Sequence, residues 1–236
     1  MRSNTYTLVF TSIVTIVLGF FLALAADWLR DLQDLNVEND MRKNILLSLG
    51  FKPGAETPWT SDDIQKLFEE NIEALVLDAS GQRTEKDPKE IDSEKNVEFL
   101  PIYLKKIGDD VGGYAIPIAG KGLWSTLFGY FAIEPDGRTV KGITFYKHGE
   151  TPGLGGEVDK PWFQQNFIGK RFVDENDQLL GIHVIKGKVE SDDQEAYHKV
   201  DGISGATMTG KGLEYFLKDD LVKYEPFFKQ VRGRQS

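Results

Sequence analysis

TLFGYFAIEPDGRTVKGITFYKHG, residues 126–149, decides the fold. Its two halves, 126–135 and 139–149, are rich in β-branched and aromatic residues, the composition of strands. Between them stands Pro135-Asp136-Gly137, a turn with a mechanism: proline presets φ and glycine accepts φ > 0. GYAIPIAG (113–120) precedes them with the same character. The three read as consecutive antiparallel strands. Farther along, KPWFQQNF (160–167) reads as a short helix, and RFVDENDQLLGIHVIKG (171–187) as strand, Asp/Asn turn, strand. A C-terminal helix starts at Thr209 or Gly210 and carries Leu213, Phe216, Leu217 and Leu221 at helical spacing. The fold class is therefore α+β: a mostly antiparallel sheet flanked by helices. A doubly wound nucleotide fold would alternate strands with long helices and place its glycine loop after the first strand.

On the N-terminal side, Tyr6 to Ala26 is an uncharged run of about 21 residues, long enough to span a bilayer as a helix. Arg2 precedes it, and Asp27, Arg30, Asp31 and Asp34 follow. The positive-inside rule places the N-terminus in the cytoplasm and the rest outside. A cleaved signal peptide is the rival reading, since Ala23-Leu24-Ala25 resembles a cleavage site; the length of the run and its thin basic leader favour a retained anchor. Asp27 to Gly50 keeps helical spacing in Leu29, Leu32, Leu35, Met41, Ile45, Leu46 and Leu49. Ser61-Asp62-Asp63 caps a short helix to about Ile72, and the polar stretch 79–97 reads as an exposed, partly mobile loop. The expected domains are 1–28, a transmembrane anchor; 29–98, a helical linker and mobile polar region; and 99–236, the functional domain.

The formal net charge of −9 argues against a nucleic-acid partner. With no cysteine, disulfides, thiolate metal sites and cysteine-ligated iron–sulfur clusters are excluded. His148, His183 and His198 lack ligand spacing, and no nucleophile triad or charged dyad is visible.

The chemistry concentrates in glycine-rich segments. Residues 201–217, DGISGATMTGKGLEYFL, lead small residues into a helix. GATMTGK has Walker A spacing, but Gly212 stands where a magnesium-binding Ser or Thr is needed. What remains is an anion corner: small residues Ser204, Gly205, Ala206 and Thr207, a helix start with unpaired N–H groups, and the cation of Lys211. The Thr207 hydroxyl can donate to a phosphate or be esterified by one. HGETPGLGGEV, 148–158, is a small-residue surface on which a flat ring can lie close to backbone amides. GKGLWSTLFGYF, 120–131, offers Trp124 for stacking. A plain turn, a plain loop and a core tryptophan are the bland readings of the three.

Together, in this order and spacing, DGISGAT, HGETPGLGGEV and GLWS resemble the C subunits of the sodium-translocating NADH:quinone oxidoreductases; the G subunit of the Rnf complex is related. The resemblance implies an FMN-binding domain whose FMN is esterified through its phosphate to Thr207 by a separate FAD-dependent flavin transferase. It implies an electron relay with no catalytic side chain, in a complex of six subunits in the cytoplasmic membrane that oxidises NADH, reduces a quinone and exports sodium. The domain would lie outside the membrane on a single-pass anchor. On this resemblance Ser204, Gly205, Ala206 and Thr209 line the phosphate and Asp201 and Lys211 flank it. Glu150, Thr151, Leu154 and Gly155 approach the isoalloxazine or ribityl chain, and Trp124 stacks near the ring. The competing classes are a P-loop hydrolase, an Rnf-type protein or stand-alone flavin reductase, and a non-catalytic anchored module.

Overall fold

The computed structural model describes residues 3–54, 57–88, 91 and 98–234. The chain divides into two compact units, Met1–Asp40 and Met41–Ser236. Helix α1, Asn4–Ser48, runs through the first unit and supplies the opening turns of the second. It is long and apolar enough to cross a membrane, with a window of mean hydropathy 2.6. Tyr6–Ala26 lies within it.

The second unit is built on a six-stranded sheet in the order β2-β1-β3-β4-β5-β6. The strands are β1 (Ile72–Asp78), β2 (Arg83–Thr84), β3 (Phe99–Ile107), β4 (Asp110–Lys121), β5 (Thr126–Ile133) and β6 (Val140–Lys147). Every neighbouring pair is antiparallel. The β5–β6 turn closes as its sequence demands: Gly137 adopts φ 66°, its N–H donates to Glu134, and the Asp136 carboxylate accepts from the N–H groups of Arg138 and Thr139.

Alternation along the strands divides the core. Ala115, Tyr130 and Ala132 face Ile45, Leu46 and Leu49 from the end of α1, with Ile64 of helix α2 (Ser61–Asn71). Tyr114, Ile116, Ile118, Phe131 and Ile133 face the other way, onto Phe163, Phe167, Phe172 and the C-terminal helix α4 (Thr207–Gly233). Phe163 belongs to the short helix α3 (Pro161–Gln164). Leu213, Leu217 and Phe228 of α4 are fully buried on this face, each contributing about 1.5–3 kcal/mol of burial. Helix α4 lies close on β4 because Gly120 and Gly212 carry no side chain. A Cβ on Gly120 would overlap Phe216, and one on Gly212 would overlap the Lys121 carbonyl. The Tyr224 hydroxyl donates to Pro101 O at 2.7 Å, and Asp220 accepts from Ala119 N at 3.0 Å, which fixes the register of helix on sheet.

Four details differ from expectation. The cap of α2 is Thr60, whose side chain accepts from Asp63 N while the Asp63 carboxylate accepts from Thr60 N. β1 falls inside the stretch 29–98 expected as linker; it follows α2 without punctuation and pairs along its whole length with β3. The loop expected over 79–97 contains β2, and residues 89, 90 and 92–97 lie outside the described ones. Residues 171–187 form two isolated bridges, Arg171 to Thr139 and Val173 to Leu179, and the two-residue strand β7 (His183–Val184) paired in parallel with β8 (Lys199–Val200). There the Asp174 carboxylate accepts from Asn176 N and Gln178 N, and Arg138 grips Asp177 at 2.6 and 2.7 Å, so side chains supplement the few backbone bonds between the two arms.

Candidate functional site

Three chain segments meet at one end of the sheet. The β4–β5 loop, Gly122–Ser125, closes through Gly122 N donating to Ser125 O at 2.8 Å. The chain leaving β6 enters 148–156 beside it, with Gly149 N donating to Ser125 Oγ at 2.6 Å. The start of α4 arrives third, because the close crossing at Gly120 and Gly212 carries the helix N-terminus to this end.

A buried carboxylate joins them. Glu150 is 5 % exposed. Its Oε1 accepts from Trp124 N at 2.9 Å and Ser125 N at 3.0 Å, and its Oε2 from Thr209 Oγ1 at 2.7 Å. Burial pushes the carboxyl up, but the hydrogen bonds from Thr209, Ser125, Trp124 and Leu123 outweigh it and hold the group below the ordinary glutamate value. Glu150 is therefore ionised and turned into the protein, not outward toward a ring. The Thr209 hydroxyl is likewise committed to Glu150, so Thr209 can meet an anion only through its backbone.

The start of α4 is shaped for an anion. Ile203 to Ala206 form a turn closed by Ala206 N donating to Ile203 O at 3.0 Å, with Gly205 at φ 75°. Ala206 is the N-cap and no side chain caps the helix; at α2 the capping box of Thr60 fills that role. The first-turn amides of such a helix point outward together with the positive end of its dipole. Thr207 is the first helical residue and is exposed, as are Ser204 and Lys211. Leu154 lies against the turn: a Cβ on Gly205 would be 2.8 Å from its Cδ2.

Around this corner stand exposed apolar groups. Trp124 is 68 % exposed, so it is not core, and Leu154 and Leu123 are partly open. Thr151 is exposed and its carbonyl accepts from Leu154 N and Gly156 N, which shapes the turn through Pro152 and Gly153. Gly155 is buried behind the site. Asp201 faces elsewhere, its carboxylate accepting from Val189 N at 2.8 Å. It holds the 187–189 turn. Ser125 and Leu123 were not singled out by sequence reasoning, although both lie in the GLWS motif that carries Trp124. His148 and His183 sit beside Asp159 (3.4 Å) and Glu214 (2.8 Å) respectively.

The site falls where comparison with known proteins places a cofactor domain: a family model described as FMN-binding domain matches residues 122–221. The chain is 35% identical to the C subunit of the Na(+)-translocating NADH-quinone reductase of Pseudomonas aeruginosa, covering 100% of this chain and 98% of that one. The chain belongs to this C-subunit family. The Vibrio anguillarum C subunit is 34% identical over 93% of this chain and 91% of its own. The crystal structure of the C subunit from Parabacteroides distasonis superimposes with a TM-score of 0.73 at 32% identity, covering 85% of this chain and 96% of that one. Shewanella oneidensis NqrC gives 0.70 at 26% identity, covering 83% and 97%. As a member of this family, the protein is part of an NADH-quinone reductase complex, has an FMN-binding domain, and has the other subunits as its partners.

Proposed function

We propose that this protein carries FMN covalently, as a phosphoester of Thr207, and serves as an electron relay. The observation that carries the reading is the start of α4: a helix with no side-chain cap whose first residue is an exposed threonine. The residues present fit the group. A phosphate would meet the first-turn amides of Thr207, Met208 and Thr209, with Ser204, Gly205 and Ala206 giving close backbone approach and Lys211 adding a cation. Trp124, Leu154 and Thr151 would receive the ring and ribityl chain. When bound, FMN supplies reversible electron transfer; the side chains position it and shield one face from water.

Attachment needs no catalytic group from this chain. The Thr207 hydroxyl oxygen attacks the FMN-side phosphorus of FAD in the site of a flavin transferase. One P–O ester bond forms, the phosphoanhydride breaks, AMP leaves, and the hydroxyl proton passes to a base of the transferase. Neither oxidant nor reductant is required. In the membrane complex, which we take to hold six subunits and to export sodium, the flavin held by these residues would relay electrons toward quinone from NADH oxidised on another subunit. Helix α1 anchors the protein, with Met1 on the cytoplasmic side and the flavin domain on the other.

The test is co-expression with a flavin transferase, denaturing electrophoresis and in-gel flavin fluorescence. The protein band fluoresces, and Thr207→Ala and Thr207→Leu are dark while folding normally. A dark wild-type band beside a fluorescent control substrate would leave an anchored structural module as the better account.

A further inference from the structure

The Glu150 carboxylate is more than a buried polar group that found partners. Its two oxygens face in different directions and serve different segments. Oε1 accepts from the backbone of the loop that carries Trp124, and Oε2 from Thr209 on the helix that begins at Thr207. The protein is packed closely around it: a Cβ on Gly122 would stand 2.7 Å from Oε1, and one on Gly155 2.5 Å from Oε2. A buried carboxylate is costly unless every oxygen is satisfied, and here both are.

We propose that Glu150 is the positioning residue of the flavin site, fastening the start of α4 to the β4–β5 loop so that Thr207 and Trp124 are held in one geometry. This rests on the flavin reading above, but assigns Glu150 a task different from contact with the cofactor. Thr209 lies two residues beyond Thr207. In an α-helix each residue adds about 100° of rotation and about 1.5 Å of rise, so fixing Thr209 fixes where, and in which direction, the Thr207 side chain leaves the helix. No side chain caps the helix, so the tie at Thr209 anchors its first turn from behind and leaves the front open.

The Glu150→Gln variant separates tie from charge. Its Oε1 can accept from the Trp124 and Ser125 amides, and its Nε2 can donate to Thr209 Oγ1, because a hydroxyl both donates and accepts. Glu150→Ala loses both ties, and Thr209→Val loses only the helix tie. The experiment uses the full chain in detergent, with two readouts. One is the rate of flavin attachment by purified transferase with FAD. The other is amide hydrogen exchange at 122–126 and at 210–211, where the amides of α4 first bond within the helix, in protein that has never carried flavin. In Glu150→Ala the attachment rate falls about tenfold or more, the order expected for one charge-assisted hydrogen bond, and protection is lost in both segments. Thr209→Val loses protection at 210–211 alone, and Glu150→Gln, which keeps both ties but not their charge assistance, falls between wild type and Glu150→Ala on both readouts. Wild-type rate and protection in Glu150→Ala overturn the proposal, as does a Glu150→Gln variant as defective as Glu150→Ala. Flavin retained by Thr207→Ala would instead overturn the attachment reading, while the exchange result, which needs no flavin, would still judge the tie.

Discussion

Gly155→Ala is the smallest change that reaches the centre of the site. Gly155 is not among the positive-φ glycines, so alanine meets no backbone penalty there. The obstacle is space. The new Cβ would be 2.5 Å from Glu150 Oε2 and 2.6 Å from Thr209 Oγ1, against ordinary contact from 3.4 Å. Each atom must retreat by about 0.8–0.9 Å. A free glutamate tip could do this easily, but this one is held by the Trp124 and Ser125 amides, and the Thr209 oxygen is held 2.7 Å away. The Thr209 bond is therefore the part that breaks. Losing a hydrogen bond to a charged group costs about 1.5–3 kcal/mol and overpacking about 1–3 kcal/mol. The smaller entropy of the unfolded alanine chain returns about 0.4–1 kcal/mol. The net loss is about 2–5 kcal/mol, or about 4–20 °C in Tm for a domain of this size. Near-UV circular dichroism on heating measures it. Thr209→Ala removes the atom in conflict, so the double variant Gly155→Ala/Thr209→Ala loses less than the two single losses added. A Gly155→Ala protein that melts with wild type, or strict additivity in the double variant, would show that the clash does not act through the Thr209 bond.

Phe131→Ala, which empties the fully buried centre of the sheet beside Phe172, costs about 3–5 kcal/mol by chemical denaturation. Trp124→Ala leaves Tm within about 1 °C, since an exposed residue contributes little, but shifts the visible absorption of the bound flavin. The Glu150 carboxyl is held below its ordinary value in the folded protein, so its stabilising contribution is full above the unfolded glutamate pKa and is lost as pH falls through the folded value; Glu150→Gln flattens that part of the acid-unfolding curve. The chain has no cysteine, so Lys188→Cys, at an exposed position, gives a single thiol. An impermeant maleimide labels it in intact cells, and protection until lysis would reverse the assigned topology.

The strands β4 to β6 were legible because alternation, aromatic content and a Pro-Asp-Gly turn agree with one another. β1 and β3 were not. Ile72 follows the last turn of α2 with no Gly or Pro between, so the helical pattern runs on into the strand. Pro101 sits within β3, a central strand, where a missing N–H argues against a strand. The candidate site was legible as small-residue motifs, because close backbone approach to an anion demands small residues in a local run. The start of α4 two residues before the expected Thr209 and the openness of Trp124 depend on tertiary packing. The union of Glu150 with Thr209 joins residues 59 apart in sequence, and no local pattern encodes such a bond. Asp201 read as part of the phosphate corner because it opens the motif, yet its carboxylate serves the neighbouring turn.

The central claim is the Thr207 phosphoester, and one measurement reaches it directly. Trypsin cleaving after Lys199 and Lys211 releases VDGISGATMTGK, residues 200–211. This peptide holds three candidate hydroxyls, Ser204, Thr207 and Thr209. Fragment-ion mass spectrometry of the peptide from protein matured with the transferase locates the modification. The expected peptide bears the mass of FMN less one water on Thr207 and on neither other hydroxyl. An unmodified peptide, or FMN on Ser204 or Thr209, would contradict the claim.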